Sequence, residues 1–319
     1  MWTYISRRVL QALLILLIIT AVCFLLTRLS ADPMSQYANR QGMTAADRAH
    51  IAHSLGLDQP VPVQYVKWLW LALHGNLGDS FFSRQPVVTL ISQRLPLTLE
   101  LMFTSEVFII IISLLLGIVA AVKQYSLLDN VITSFSFIGY SMPIFFIALG
   151  LMDIFAVQFK AWHLPYLPTG ADIWNPHDLG ALAYHMVLPV SCLVIIQVAG
   201  YSRFLRSSIL EVLGLDYVRT ARAKGLGERT TLIRHALRNA MLPFITIIGL
   251  DIPFLLGGAI VTESIFAWPG MGRLFWEYAE RGDFPVVNGV LLIVSSAVVF
   301  FTIIVDVLYT FVDPRIRLS

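Results

Sequence analysis

Residues 219–243 read RTARAKGLGERTTLIRHALRNAMLP. Six of these 25 residues are basic (Arg219, Arg222, Lys224, Arg229, Arg234 and Arg238), and Glu228 is the one acid. Apolar stretches long enough to cross a bilayer lie on both sides. A basic loop between two spans marks the cytoplasmic side of a membrane. Its local pattern says more. Asp216 is placed to N-cap a helix from Tyr217 to Lys224. Gly225 then falls at C′, where a left-handed backbone suits glycine, and Leu226 folds back on Ala221. A second helix starts near Glu228, with Leu232, Ile233, Ala236, Leu237 and Ala240 at helical spacing. Arg229, Arg234 and Arg238 occupy its other faces. The expected shape is a short helix, a glycine turn and an amphipathic helix leading into a span. A solvated anchor of positive charge would explain the composition but does not require that shape.

The rest of the chain supports a membrane setting. It has 319 residues, of which 57% are hydrophobic and 13% charged, with a mean hydropathy of +0.75. A soluble domain carries about 25% charged residues. The net charge of +2 is small, so its distribution matters more than its sum. Cys23 and Cys192 each lie in an apolar run and define no disulfide framework. At the N-terminus Arg7 and Arg8 precede an apolar run from Val9 to Leu26. That run is too long for a typical signal-peptide core and lacks a clear cleavage pattern, so it reads as an uncleaved anchor.

Six apolar stretches reach spanning length: 9–27, 97–122, 131–158, 187–201, 241–261 and 286–312. The fourth is short, and its start is expected nearer Leu182. With the N-terminus inside, segments 1–8, 123–130, 202–240 and 313–319 are cytoplasmic and hold 2, 1, 8 and 2 basic residues. The outer loop 159–186 holds Lys160 alone. Both termini are then cytoplasmic. The domain plan is an N-terminal helix at 1–29, an outer region at 30–96, a five-helix core at 97–312 that contains the loop 202–240, and a tail at 313–319. The outer region is expected to hold a helix at 44–54, capped by Thr44, and a second near 63–73. Trp68, Leu69 and Trp70 would let that second helix lie against the membrane surface.

The loop DYVRTARAKGLGERTTLIRHALRNAMLP (216–243) resembles the cytoplasmic loop of permease subunits of bacterial ABC importers, in the branch that handles peptides and nickel. That loop carries a Glu-Ala-Ala motif followed by a glycine. Here Arg219, Thr220 and Ala221 stand at the motif, and Gly225 is the glycine; Ala221 and Gly225 match the general pattern. Three further stretches resemble the same branch: 55–81, ESIFAWPGMGRLFWEYAERGDFPVV (263–287) and DVLYTFVDPRIR (306–317). The resemblance implies an all-α polytopic protein with six transmembrane helices and the type I ABC importer permease fold. It implies a bacterial inner-membrane subunit that moves oligopeptides or dipeptides inward by alternating access. Asp216, Tyr217, Arg219, Thr220, Ala221, Lys224, Gly225 and Leu226 would form the coupling element that docks on an ATPase. The implied partners are a second homologous permease, two cytoplasmic P-loop ATPases, an extracytoplasmic solute-binding protein and membrane lipid, with no nucleic acid. ATP and magnesium would sit on the ATPases, and this chain would bind no cofactor.

Other residues bear on a path through the membrane. The chain lacks the G-x-x-x-x-G-K-[S/T] and H-E-x-x-H patterns. His50 and His53 read as a solvated pair, and His163, His177 and His185 as loop residues. Asp251 lies mid-span two residues before Pro253 and could meet a cationic substrate group or bond to a neighbouring helix. Ser141 and Pro143 mark a break in the third span, either a device of the path or a packing kink. Glu263 is a further candidate for path or gate. Glu100, Glu106 and Asp153 read as nearer the outer ends and structural. The intramembrane acids look scattered, which argues against an intramembrane protease or lipid transferase. A passive channel leaves the helix–glycine–helix loop unexplained. Importers of nickel, metallophores, opines or glutathione share the expected fold and remain open.

Overall fold

The computed structural model describes the backbone of residues 2–30, 53, 58–170 and 178–312. Side chains are described for these apart from 2–5, 30, 250, 252–259 and 306–312. The expected helix at 44–54 and the tail 313–319 lie outside the described residues. The named helices are α1 (Trp2–Ser30), α2 (Val61–Leu73), α3 (Val87–Val122), α4 (Leu127–Ser141), α5 (Ile144–Met152), α6 (Leu179–Leu213), α7 (Asp216–Ala223), α8 (Arg238–Ile265), α9 (Met271–Glu280) and α10 (Phe284–Val312).

Among the described residues, five helices are long and apolar enough to cross a membrane: Ser6–Leu29, Val87–Val122, Ile144–Ala161, Leu179–Leu213 and Phe284–Val305. The expected fifth span falls on α8, an unbroken helix of 28 residues. That is roughly 42 Å of helix, enough to cross a bilayer. The middle of α8 lies among the side chains not described, so six spans remain compatible with these five.

The chain divides into two compact units. One comprises residues 1–97 and 270–303. Its core joins Leu77, Val87, Leu90 and Ile91 to Met271, Leu274, Tyr278, Val286 and Val290. Asp283 is fully buried there, and its Oδ2 accepts from Ser80 Oγ (2.6 Å) and the Phe82 amide (3.0 Å). The sequence places α2 at the membrane surface, with Trp68, Leu69 and Trp70 as its contacts. Tyr65 and Trp68 turn toward Phe24 of α1, with ring centroids 5.6 and 5.5 Å away, while Trp70 is exposed. The hydroxyls of Tyr65 and Thr20 are 2.9 Å apart. Thr20 lies about 14 Å along α1 from Leu29, so α2 leans along the apolar helix.

The second unit comprises residues 98–269 and 304–319. Two differences from the expected spans stand out. The fourth is far longer than 187–201. Asp178 starts α6 by accepting from the Gly180 and Ala181 amides (2.9 and 3.1 Å), and the helix continues to Leu213. Hydropathy ended it early because Arg203 and Arg206 interrupt the apolar run. Both are satisfied by α4: Arg206 pairs with Asp129, and Arg203 stacks over Phe137 and Tyr140.

The third span, expected at 131–158, is divided. Met142 and Pro143 take extended ψ values of 131° and 141° between α4 and α5. Proline cannot donate the missing helical bond, and it biases the residue before it toward extended backbone. The two halves nevertheless run on in one direction, antiparallel to α6. Asp129 pairs with Arg206, Ser136 lies against Ser202 and Gly139 against Ile195 and Ala199. Further along, Cys192 Sγ points at the Ile144 carbonyl, and Ile147 and Ala148 share a core with Leu188. The core between α3, α6 and α8 gathers Ile109, Tyr201, Leu205, Ile209, Ala240 and Phe244. Gly117 permits the close approach of α3 and α6, since a Cβ there would sit 3.0 Å from the Ser202 carbonyl oxygen.

Candidate functional site

The loop between α6 and α8 has a defined geometry. Leu215 is extended (φ −76°, ψ 149°), and α7 begins at Asp216. Asp216 is therefore the first helical residue and makes no side-chain cap. Its carboxylate lies 3.5 Å from Arg219 on the same exposed turn. An acid in the first turn still complements the helix dipole. At the other end Lys224 caps the helix, and Gly225 adopts φ 81°. The Gly225 amide donates to the Arg222 carbonyl (2.9 Å) and the Leu226 amide to the Ala221 carbonyl (3.3 Å). These two bonds are the Schellman arrangement that the glycine and leucine spell out. Arg222 then reaches across the turn to Glu228 at 3.0 Å.

Beyond the turn the amphipathic helix does not stand apart from the span. Glu228–Thr230 and a π-helical turn, Thr231–Leu237, run into α8 without a break. The π turn shifts the faces relative to a regular helix. Thr231, Ala236 and Ala240 are buried, whereas Ile233 is exposed. Tyr217 ties α7 to this segment. Its hydroxyl donates to the His235 carbonyl (3.3 Å) and accepts from Asn239 Nδ2 (2.7 Å).

The expected docking residues fall on two faces. Of them Ala221 is buried against this chain, together with its neighbour Val218. Asp216, Tyr217, Arg219, Thr220, Lys224, Gly225 and Leu226 are exposed. Nothing in the chain lies within 4 Å of a Cβ built on Gly225. The small side chain of Ala221 therefore serves contact between α7 and its own chain, while Gly225 serves the turn. Tyr217 and Leu226 leave an apolar surface amid charges on a segment outside the apolar spans.

The intramembrane candidates differ in setting. Ser141 and Pro143 are exposed at the α4–α5 break. Glu263, near the end of α8, is fully buried, and its Oε1 accepts from Thr98 Oγ1 at 2.7 Å. Pro253 lies within helical backbone, and its side chain is outside the described residues. Asp251 is half-buried and faces the Tyr201 hydroxyl and the Glu106 carboxyl. The sequence leaves Glu106 isolated and the acids scattered; the fold brings these two together from α3 and α8. Nothing local links them, so only the packing of three helices could reveal the pair.

Asp129 was not singled out in the sequence either. It receives a two-pronged contact from Arg206 Nε and Nη2 (2.7 Å each) and a bond from the Tyr125 amide (2.9 Å). The Arg206 hydrogen bonds hold its carboxyl below the usual carboxylate range, with the Tyr125 amide contributing and burial opposing. Among the described histidines, His53 bonds to Asp58 (2.7 Å) and His185 Nδ1 lies 2.7 Å from the Gly170 carbonyl oxygen. His50 and His177 lie outside the described residues. No group of three or more His, Cys, Asp or Glu suited to a metal occurs among the described residues.

Comparison with known proteins bears on the whole chain. Residues 113–318 match the model of the binding-protein-dependent transport system inner membrane component. Residues 1–102 match the N-terminal model of the same kind of membrane component. The oligopeptide transport system permease protein AppB of Bacillus subtilis (strain 168) is 40% identical over 321 residues, covering 99% of this chain and 100% of its own. The dipeptide transport system permease protein DppB of Escherichia coli (strain K12) is 39% identical over 308 residues, covering 90% of each. A crystal structure of an amino acid ABC transporter with histidines aligns with a TM-score of 0.51 at 16% identity, over 70% of this chain and 94% of that one. The last likeness concerns the fold alone.

Proposed function

Because the chain belongs to the family of binding-protein-dependent transport system inner membrane components, we propose that it is the permease subunit of an ATP-driven importer of oligopeptides or dipeptides. The observation that carries the substrate class is the full-length similarity, near 40% identity, to permeases named for oligopeptide and dipeptide transport. The permease is paired with a second permease in the inner membrane. Two ATPases bind on the cytoplasmic side, and a solute-binding protein delivers peptide from outside. Both chain termini face the cytoplasm, consistent with the basic residues of the short loops. ATP and magnesium reside on the ATPases.

The exposed face of α7 and its glycine turn form the docking knob. Tyr217 and Leu226 supply apolar contact, while Arg219 and Lys224 steer approach and contribute less to holding. The inner face, Val218 and Ala221, seats the knob on this chain, and the Tyr217–Asn239 bond couples it to α8. A push on the knob is thereby delivered to a helix that crosses the membrane. Closure of the ATPase pair then switches the access path between the two sides. The domain plan keeps the N-terminal helix and the outer region 30–96 as additions to a core at 97–312 that carries the loop.

The test is uptake of a radiolabelled tripeptide, trialanine, into proteoliposomes that hold the purified complex, with loaded binding protein outside and ATP within. Accumulation that needs both ATP and the binding protein supports the reading. Equal accumulation without ATP contradicts it and favours a passive channel.

A further inference from the structure

Glu106 on α3, Tyr201 on α6 and Asp251 on α8 lie within electrostatic reach of one another in the second unit: Tyr201 shares a core with Ile109, one turn from Glu106, and with Phe244, two turns from Asp251. Glu106 is only 9% exposed, and neither carboxyl oxygen has a hydrogen-bond partner among the described residues. Tyr201 is 3% exposed, and its hydroxyl also closes no hydrogen bond of normal geometry. Its ring is held edge-on to Phe244, with centroids 5.7 Å apart. The Glu106 and Asp251 carboxyls are near enough to repel one another, and no described Arg, Lys or His offsets Glu106.

Such an arrangement is costly as it stands. Buried polar groups in native proteins are almost always bonded, and a carboxylate at membrane depth needs a cation or a proton. Two acids and a phenol at one place leave unfilled acceptors, and with one proton shared between the two carboxyls the site still lacks one positive charge. A primary ammonium fits that deficit: it carries a single charge and three N–H donors. A neutral donor would satisfy the oxygens and leave the charge. A metal ion would want more ligands than two carboxyls and a phenol, and no such group occurs among the described residues. Asp251 remains partly exposed and offers the approach, with Glu106 as the floor.

We propose that Glu106, Tyr201 and Asp251 form an intramembrane station for the ammonium group of the transported peptide. The inference rests on the peptide-importer reading above. The α-ammonium is common to every peptide with a free N-terminus, so a station for it serves passage without selecting side chains.

The experiment measures trialanine uptake by the complete complex with Glu106→Gln, Asp251→Asn, the double variant, Tyr201→Phe and the charge-keeping Glu106→Asp. Stimulation of ATP hydrolysis by loaded binding protein and co-purification of all subunits are read on the same samples. The expected result is uptake lowered at least about tenfold in each neutral carboxyl variant, with assembly and stimulated hydrolysis retained. Uptake should be partly restored in Glu106→Asp and moderately lowered in Tyr201→Phe. Uptake at the wild-type rate in the double variant overturns the station. Loss of assembly in Glu106→Gln, Asp251→Asn and Glu106→Asp alike assigns the pair to structure and also overturns it. Uptake that persists in the double variant but loses its dependence on pH assigns the pair to a proton and overturns the ammonium station. A wild-type complex that accumulates no peptide overturns the importer reading, and the station with it.

Discussion

Gly225 shows how a single residue can set the form of an exposed turn. Its φ of 81° is a conformation that glycine adopts freely, and nothing crowds the place where a Cβ would go. The cost of a substitution there comes from the backbone and not from a clash. Asparagine tolerates this region, alanine less so, and a β-branched residue least, at about 1–2 kcal/mol or more. Coupling should fall in that order, with Gly225→Asn closest to wild type and Gly225→Val lowest in peptide uptake per ATP hydrolysed. Equal ratios across the three variants would detach the turn from coupling. This residue was legible in the sequence because a glycine C-cap is local chemistry, written in consecutive residues. Ala221 was legible as part of the same pattern, yet its burial on the inner face was not, because the face depends on what α7 packs against. The pairing of Glu106 with Asp251 left no local trace at all.

Among the elements, the broken pair α4–α5 and its partner α6 behave as one antiparallel assembly. At one end the Arg206–Asp129 contact clamps α4 to α6, with the Asp129 side chain 3% exposed and that of Arg206 22%. Removing one partner of a buried pair leaves the other uncompensated, so Arg206→Ala should lower the thermal midpoint in detergent, by about 3 kcal/mol of stability. Because the Asp129 carboxyl is held below its ordinary range in the folded protein, its stabilisation is present above about pH 4. It is lost as pH falls through the lowered folded value. Acid unfolding followed between neutral pH and pH 2 should therefore show a steeper loss in wild type than in Asp129→Asn. Identical acid profiles would deny the clamp its role. Pro143 announced the break between α4 and α5, but the long α6 was hidden. Its arginines look like loop residues until α4 supplies Asp129, Phe137 and Tyr140 to meet them.

Across the whole molecule, hydropathy and the positions of Lys and Arg carried the membrane class, and the ordered resemblances carried the family. The division into two compact units was not legible. Its first unit joins residues 1–97 to residues 270–303, which are distant in sequence. The proposed function depends on one contact above all, the exposed face of α7 against an ATPase. The most direct measurement is disulfide or short-linker cross-linking of the membrane-embedded complex. It uses single cysteines at Leu226 and Lys224, in a chain whose Cys23 and Cys192 are replaced, followed by mass spectrometry of the linked product. The account predicts that both positions link to a P-loop ATPase subunit, that a cysteine at the buried Val218 does not, and that the yield changes when ATP is bound. Linkage to lipid-side or other membrane subunits only, with no ATPase product at either exposed position, would contradict it.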